Sequence, residues 1–427
     1  MPDHPPLRWL FIDFNSYFAS VEQQLDPKLR GRPVVVSPVA GDSSCAIAAS
    51  YEAKAFGIKT GTPIREARQL CPDLVVIHAK HRHYVEFHER LKAEIENHLP
   101  ITKTCSIDEV GCRLMDNENA PDVARGIALR IKRGIAANVG ECLRSSIGIA
   151  PNRFLAKVAS DMQKPDGLTV LEAADLPERL YELELCDLPG IGRRMEKRLL
   201  AAGVPDVRTF MNLPPKLARR IWGSIHGERM WWELRGLDLP DQPTERRSVG
   251  HSHVLAPELR HEAGAHRIVR RLLVKAASRM RRLGYRTSCL VLTVWLESRW
   301  EWSGAERLPA TEDSFALLAA LEKLWAQASA QARHLHLAAR YKQVSVALVE
   351  LMPTNADQFR LFEDDGSPAD AAAAARRLRL SRIIDEVNGK RGRDKVRLGI
   401  WEDKRPDSFT GTKIAFTRVP DLEEFHE

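Results

Sequence analysis

Residues 101–114 read ITKTCSIDEVGCRL, and we interpret this stretch as a β-hairpin with an acidic pair near its bend. Asp108 and Glu109 stand side by side there among apolar neighbours. Successive side chains of a strand point to opposite faces, and a half-buried strand normally avoids two carboxylates. The stretch therefore requires a group that neutralises the pair.

A third acid, Asp13, ends the first predicted strand, residues 8–14 (RWLFIDF). If that strand neighbours the hairpin in one sheet, Asp13 converges with Asp108 and Glu109. Divalent cations would then compensate the charge, because Mg²⁺ is held by a few carboxylates together with phosphates and water. Two ions about 4 Å apart could clamp an attacking oxygen and a leaving phosphate. The alternative is that all three acids are turn or surface residues.

The order of predicted elements divides the chain. Strands and helices alternate through the first 170 residues, which predicts an α/β or α+β region, including a helix at 151–162 with proline in its first turn. Residues 175–236 lack strand patterns and predict a helical region, and the Pro-rich residues 238–245 predict a linker. A second α+β domain follows, with strands at 248–256, 288–296 and 343–351 and helices at 264–283 and 312–328, before a tail that opens at Pro353.

Composition narrows the class of protein. The chain has 427 residues, 44% hydrophobic and 28% charged, which is typical of soluble globular proteins. No run approaches the roughly 18 apolar residues of a membrane span, and the start does not resemble a secretory signal. The seven cysteines form no CxxC pair, which favours free thiols in a reducing compartment. We interpret four histidines without zinc spacing as surface positions at a helix start: His78, His81, His83 and His88.

The net charge of +7 is unevenly distributed. Nine lysines and arginines lie in residues 257–286, opposed only by Glu258 and Glu262. Such a basic stripe attracts polyanions, of which nucleic acid is the commonest. The alternative is a solvated helix face.

Six motifs occur in a fixed order: FIDFNSYFASVEQ, RPVVV, ASYEAKAFGIKTGTPIREA, SIDE, SIGIAPNRFLAKVASDMQKPDG and LPGIG. Together they resemble the Y-family, or lesion-bypass, DNA polymerases over residues 8–350. The resemblance implies an α+β right-hand polymerase with a ferredoxin-like palm, small fingers, a helical thumb containing a helix-hairpin-helix, and an α+β little finger. The implied boundaries are palm 1–25 and 81–172, fingers 26–80, thumb 173–240, linker 241–247, little finger 248–352 and a C-terminal tail 353–427.

The resemblance also implies an active site. Asp13, Asp108 and Glu109 would be catalytic and, with the backbone carbonyl of Phe14, would hold two Mg²⁺ ions, with Mn²⁺ as a substitute. Phe18 would be a steric gate that excludes ribonucleotides. The alternative is that Phe18 and its neighbour simply pack beneath the first helix. The implied nucleotide contacts are Phe18, Tyr17, Tyr51, Lys54 and Lys164, with Lys157 as a nearby phosphate or structural contact.

Three positions depart from the pattern of that family. Lys54 stands where arginine is usual, and lysine lacks the bidentate guanidinium fork. Asn15 stands where an acid is common. Val110 and Gly111 replace the usual Ala-Tyr after the acid pair, which indicates altered packing under the hairpin.

Nucleic-acid and protein contacts follow from the same resemblance. The LPGIG turn suits a DNA phosphate at a helix N-terminus, and the basic stripe would hold the DNA backbone. The QFRLF peptide at 358–362 resembles a peptide that docks on the sliding clamp. The implied DNA contacts are Gly190, Gly192, Arg193, Arg194, Arg270, Arg279 and Arg282, and the implied clamp contacts are Gln358, Leu361 and Phe362.

The implied activity is low-fidelity, template-directed addition of deoxynucleotides to a primer 3′-hydroxyl. The expected partners are primer–template DNA, deoxynucleoside triphosphates, a sliding clamp and SOS-type accessory proteins, and no membrane. We expect a monomer in the cytoplasm, associated with the nucleoid. One alternative is an adaptor of the same family that has lost activity, although the presence of all three acids argues against it. Another is a related nucleotidyltransferase that accepts ribonucleotides or RNA templates.

Overall fold

A computed structural model describes residues 5–38, 42, 44–242, 245–355, 368–391 and 395–398. The chain divides into two compact units between Gln242 and Pro243. Each unit has its own sheets and its own apolar cores. Mixed strands and helices throughout confirm the α+β fold class.

Twelve strands occur in the described part of the chain. They are β1 (Trp9–Phe14), β2 (Val34–Ser37), β3 (Ala48–Ala49), β4 (Val75–His78), β5 (Ile101–Thr104), β6 (Glu109–Arg113), β7 (Ser145–Ala150), β8 (Leu168–Val170), β9 (Ser248–Val254), β10 (Tyr285–Leu296), β11 (Glu301–Thr311) and β12 (Tyr341–Pro353).

Thirteen α-helices accompany these strands in the same described ranges. They are α1 (Tyr17–Leu25), α2 (Tyr51–Lys54), α3 (Ile64–Leu70), α4 (His81–Glu96), α5 (Pro121–Gly134), α6 (Arg153–Met162), α7 (Arg193–Ala201), α8 (Val207–Met211), α9 (Pro215–Trp222), α10 (Ile225–Glu233), α11 (Glu262–Arg282), α12 (Ser314–His334) and α13 (Pro368–Arg391).

A five-stranded sheet organises the first unit, in the order β5-β6-β1-β7-β8. Strand β1 pairs antiparallel with both β6 and β7, and every residue of β1 and β7 is buried. Leu10 and Ile12 pack into a core with residues of α1, α4 and α5, while Trp9 and Phe11 pack on the other face with α6. Because both faces are covered, β1 reads as a continuous apolar run rather than an alternating one.

A small sheet, β3-β2-β4, forms between β1 and α4 along the chain. Its separate core includes Val35, Ile58, Ile64 and Leu74. The sequence analysis did not predict β4, whose four residues give too short a pattern to distinguish from a loop. This sheet and α2–α3 make a compact lobe of the first unit.

Helix α6 begins at Arg153, because Asn152 caps it: the Asn152 side chain accepts a hydrogen bond from the Leu155 N–H at 2.7 Å. Pro151 precedes that cap, so the prediction of proline in the first helical turn was wrong. Residues 173–234 contain only short 3₁₀ turns and α7–α10, as the missing strand pattern predicted.

The second unit is a four-stranded antiparallel sheet in the order β11-β10-β12-β9. Helices α11 and α12 pack on one face over Leu273, Leu292 and Leu321. On the other face, a row of hydroxyls crosses all four strands, and we call it the hydroxyl row: Ser303, Thr293, Ser345 and Ser252. These residues are exposed or partly exposed.

Two elements of the second unit were not predicted. Strand β11 (EWSGAERLPAT) has few apolar residues, and none of its residues is fully buried. Helix α13 lies in the region for which the sequence analysis predicted only a tail beginning at Pro353. It contacts α11 and α12, with Ile384 buried and Asp385 paired to Arg281.

Candidate active site

Three carboxylates gather where β1 ends and β6 begins. Asp13 and Glu109 are directly opposite one another in the antiparallel pairing of these strands. The Phe14 N–H donates to the backbone carbonyl of Asp108 at 2.9 Å, which holds the turn before β6 against the end of β1. Because Asp108 lies in that turn and not within the strand, the alternation rule does not separate it from Glu109.

The three acids, which we call the acid cluster, lie in a weakly hydrated environment. Asp13 is buried, and Asp108 and Glu109 are half-buried. Burial raises the pKa of Asp108 to about 6, and the neighbouring Asp13 and Glu109 add to this, while a hydrogen bond from Ser106 Oγ opposes it. The cluster therefore holds negative charge only if cations accompany it.

Two lysines supply positive charge inside the cluster. Lys157 Nζ contacts Asp13 Oδ2, lies 2.8 Å from Glu109 Oε1 and lies 3.2 Å from Asp161 Oδ1. Lys164 Nζ is 2.8 Å from Asp13 Oδ2 and 2.7 Å from Asp161 Oδ1. Burial alone would lower the pKa of Lys157, but the carboxylates of Asp13, Asp161 and Glu109 raise it well above its ordinary value.

The donor set fits a divalent cation. Lys157 Nζ lies between oxygens of Asp13 and Glu109, which is a position that a cation shared by two carboxylates would take. Hard oxygen donors of this kind suit Mg²⁺. Within the described ranges, no three His, Cys, Asp or Glu side chains already surround a common point closely enough to hold a metal.

The loop that carries Lys164 is held by buried polar groups. Asn15 Oδ1 accepts the Asp166 N–H at 2.7 Å, and Asn15 Nδ2 donates to Ser146 Oγ at 3.1 Å. Lys132 Nζ donates to the carbonyls of Ser145 and Asp166. Asn15, where an acid would be more usual, thus positions the loop.

Aromatic residues line the core beneath the acid cluster. Phe18 is buried and stacks on Tyr84 with ring centroids 4.4 Å apart. The Tyr17 hydroxyl donates to the Tyr84 carbonyl at 2.6 Å, and the Tyr84 hydroxyl donates to Glu22 Oε1 at 2.8 Å. Phe18 and Tyr17 are thus packed against Tyr84 in the core of the first unit. The role of Phe18 as a steric gate toward the sugar of the nucleotide stays a prediction.

Tyr51 and Lys54 lie on the short helix α2, where Ser50 caps the Ala53 N–H. Lys54 Nζ is 4.1 Å from the centre of the Tyr51 ring. Burial lowers the pKa of Lys54, and the nearby charge of Lys164 lowers it further. The predicted nucleotide contacts of α2 thus lie within electrostatic range of the acid cluster.

Comparisons with known proteins identify the family of the chain. Two models of the impB/mucB/samB family match the chain, one over residues 12–161 and its C-terminal-domain model over residues 246–361. DNA polymerase IV of Moorella thermoacetica is 34% identical over 396 residues, which is 90% of this chain and 93% of that protein. The chain belongs to the Y family of DNA polymerases. It is therefore a DNA-directed DNA polymerase of the translesion class.

Other relatives support the same assignment. DNA polymerase IV 1 of Bacillus subtilis is 31% identical over 291 residues, covering 66% of this chain and 69% of that protein. Among solved structures, a chimera of the Y-family polymerases Dbh and Dpo4 superposes with a TM-score of 0.66 at 22% identity, over 81% of this chain and 99% of that chain. An insertion ternary complex of Dbh DNA polymerase gives a TM-score of 0.52 at 22% identity, with the same coverage. These structures show the Y-family fold.

Gly111, where Y-family members usually have tyrosine, has a packing explanation. A Cβ at Gly111 would meet the Trp9 ring and Arg153 Cδ, each at 3.4 Å. A side chain at this position of β6 would thus lie directly against Trp9 and Arg153.

The sequence-predicted DNA contacts of the first unit lie at one helix start. Gly190 has a φ of +94°, which favours glycine, and Gly192 precedes α7. A Cβ at Gly192 would meet nothing within 4 Å, so the turn is open. Arg193 and Arg194 form the first turn of α7 and are exposed. Their contact with DNA stays a prediction.

Arg270, Arg279 and Arg282 of the basic stripe lie on α11, a helix that packs on one face of the second sheet. Arg270 pairs with Glu322 of α12, and Arg279 and Arg282 belong to the last turn of α11. Their role in binding DNA also stays a prediction. Gln358, Leu361 and Phe362 lie outside the described residues.

The interpretation of the four histidines was wrong for two of them, since His81 and His88 are buried. His88 Nδ1 is 2.7 Å from the carbonyl oxygen of Ile107, directly before Asp108. Burial lowers the pKa of His88, so the ring packs as a neutral group under the acid-bearing turn. Asp161, Ser106 and His88 were not singled out as site residues. The i, i+4 spacing of Lys157 and Asp161 on α6 was the one available signal, for Asp161.

No helix within the described ranges is both long enough and apolar enough to cross a bilayer.

Proposed function

We propose that the acid cluster binds two divalent cations and that this polymerase adds deoxynucleotides to a primer 3′-hydroxyl with low fidelity. Y-family polymerases are metal-dependent, and the observation that carries the proposal is Asp13 opposite Glu109, with Asp108 beside them and Lys157 between two of the carboxylates. The bound cations would neutralise the developing charge of phosphoryl transfer and polarise the primer hydroxyl.

The residues of the chain then bind and orient the substrates. Lys164 and Lys54 carry positive charge for the triphosphate, with Tyr51 supporting Lys54 through its ring face. Phe18 lies under the deoxyribose and excludes a 2′-hydroxyl. The small core of the β3-β2-β4 lobe encloses the nascent base pair loosely, which favours low fidelity and tolerance of damaged templates. Poor processivity without a sliding clamp follows from the same loose enclosure.

DNA would be held at two places through its phosphate backbone, independently of its base sequence. The N-terminus of α7 offers backbone N–H groups and Arg193 and Arg194 to a phosphate. The second unit would hold the duplex backbone. The QFRLF peptide would bind the sliding clamp. This is tested by comparing how much clamp is pulled down by wild type and by Leu361→Ala/Phe362→Ala.

The central experiment is primer extension with Mg²⁺ by wild type and by Asp108→Ala/Glu109→Ala. We expect the double variant to lose activity by at least about 10³-fold, because removing charge stabilisation of a transition state costs on this scale. Asp116→Ala/Glu118→Ala, which removes one exposed and one partly exposed acid beyond the other end of β6, is the matched control and should retain activity. Equal absence of extension in wild type and the double variant would instead favour the inactive adaptor.

Two further assays test the finer parts of the proposal. A misincorporation assay showing replicative-grade accuracy would contradict low fidelity. Phe18→Ala should admit ribonucleotides that wild type rejects. If wild type already accepts both nucleotide types equally, the steric gate is refuted and the ribonucleotide-accepting alternative gains.

A further inference from the structure

Residues 238–242 (DLPDQ), which we call the acidic segment, are bound to the five-stranded sheet through two carboxylates. Trp9 Nε1 donates to Asp238 Oδ1 at 2.9 Å, and Arg113 pairs with Asp238 at 3.1 Å. Asp241 accepts both terminal nitrogens of Arg153, at 2.6 and 3.0 Å, and Lys103 Nζ at 2.5 Å. Three cations from β5, β6 and α6 thus converge on one short run of chain.

The acidic segment borders a cavity that extends to Lys157, which pairs with Asp13 and Glu109 of the acid cluster. The cavity has a volume of about 610 Å³, and both Asp241 and Lys157 line it, together with Trp9 and Phe11. Arg153 is one helical turn before Lys157 on α6. A ligand that occupied the cavity would therefore contact Arg113, Arg153 and Lys157 together.

These ion pairs are accessible to solvent and exchangeable. The side chains of Asp241, Lys103 and Arg153 are 53%, 41% and 28% exposed. Because solvent reaches these pairs, a phosphate can compete with Asp241 for the same cations. The bidentate contact of Arg153 is the geometry that arginine also uses with phosphate.

We propose that Lys103, Arg113 and Arg153 bind backbone phosphates of the primer strand, and that the acidic segment occupies them in the DNA-free chain as an intramolecular competitor. This inference rests on the proposed function, because the primer 3′-hydroxyl must lie at the acid cluster. The preceding phosphates follow at about 3.4 Å of helix axis per nucleotide, which brings them beside the same cavity. The carboxylates of Asp238 and Asp241 would be displaced when DNA binds.

Competition of this kind lowers the apparent affinity for DNA by the fraction of molecules whose cations are free. Removing an ion pair of the acidic segment should therefore tighten DNA binding, even though that pair is present in the folded chain. A segment that only anchors the chain predicts the opposite sign or no change.

The test is the dissociation constant of a fluorescein-labelled primer–template duplex, measured by anisotropy with a chelator and without nucleotide. We expect Asp241→Asn in the full chain to bind at least about threefold more tightly than wild type. Glu141→Gln removes the same charge from an exposed pair with Arg30, and Glu141 is not among the described residues that line the cavity. It should change affinity by less than about 1.5-fold, which controls for net charge.

Arg153→Met should weaken binding and reduce the slope of log K against log salt by about one. Asp241→Asn should tighten binding less in the Arg153→Met background than in wild type, because only the Lys103 pair is then left to release. If Asp241→Asn binds DNA no more tightly than Glu141→Gln, or if Arg153→Met leaves the salt slope unchanged, the proposal is overturned.

Hydrogen exchange of wild type tests the same displacement without any variant. The indole N–H of Trp9, which donates to Asp238 Oδ1, should exchange faster with solvent when primer–template DNA is added, and unchanged or slower exchange would contradict the proposal. Because no catalysis is involved, the outcomes separate: a wild type that extends primers but shows no competition loses only this inference. A wild type that neither binds nor extends primer–template DNA loses the proposed function too.

Discussion

The two large sheets of this protein bury their residues differently. Strands β1 and β7 of the first sheet are buried along their whole length, with a core on each face. Strand β10 of the second sheet alternates buried with partly exposed residues, and helices cover one face. A sheet packed on both sides can fix functional groups only at its strand ends, where Asp13 lies. A sheet packed on one side can offer a whole face, where the hydroxyl row lies.

The same contrast applies to charge. In the first unit, the acid cluster is half-buried to buried and is neutralised by lysines at contact distance. In the second unit, Arg307 and Glu350 pair in solvent, with side chains 81% and 45% exposed. Changes in the first sheet should therefore act on folding and on the site together. Changes on the exposed face of the second should act on binding alone.

The largest effect is expected from Gly148→Ala in β7. A Cβ there would collide with backbone atoms of Ala156 and Ser160, so α6 would be pushed off the sheet. We expect the free energy of unfolding in urea to fall by about 3 kcal/mol or more, with loss of primer extension.

The matched control for Gly148→Ala is Gly126→Ala on α5. A Cβ at Gly126 would meet only Arg130 Nη1, at 3.8 Å, and alanine favours a helix. Stability should rise by about 0.5 to 1 kcal/mol. Equal effects of the two variants would show that close packing of α6 on β7 does not matter.

A smaller effect is expected from Arg281→Met in the second unit. Arg281 is buried and donates to Asp385 of α13 and to Glu312 and Ser314 near the start of α12. Losing these bonds should cost about 2 to 3 kcal/mol in a urea titration. Arg307→Met, at the exposed pair, should cost less than about 0.5 kcal/mol. A loss as small for Arg281→Met would mean that α13 is not bound through this arginine.

His253, on the helix-covered face of the second sheet, predicts that the free energy of unfolding depends on pH. Burial, together with the charge of Arg271, lowers the pKa of His253 to about 4. The unfolded chain binds this proton near pH 6.5 while the folded chain does not, so stability is lost as pH falls from about 6.5 toward 4. We expect His253 to account for about 1 kcal/mol of the loss between about pH 7 and pH 5.5. His253→Gln should flatten the profile by that amount, and an equally steep profile would refute the assignment.

The smallest effect is expected from Thr293→Glu in the hydroxyl row. A carboxylate on the exposed face should weaken primer–template binding about threefold at low salt and less at high salt, through repulsion of phosphates. The free energy of unfolding should not change measurably. Thr293→Gln is the neutral control of similar size. If both variants bind DNA like wild type, the exposed face of the second sheet does not contact DNA.

Much of this organisation could be predicted from local pattern. The apolar run ending in Asp13 predicted a strand, and the order of strands and helices predicted an α+β fold. Weakly patterned elements could not be predicted: β11 buries none of its side chains fully, and α13 has an alanine run that does not distinguish a packed helix from a tail. The histidines show the same limit, because zinc spacing says nothing about whether His88 is buried.

The sequence by itself indicated the type of chemistry. It contains three carboxylates within motifs of a known family, basic residues in neighbouring motifs, and apolar runs that predict the strands carrying them. Only the tertiary structure decided which cations meet which acids. Lys157 and Lys164 lie between the acids, Asn15 holds a loop, and Asp241 occupies Arg153. The physical reason is that strand and helix patterns depend on neighbours a few residues apart, whereas these ion pairs join residues that are far apart in the sequence and meet only when the chain folds.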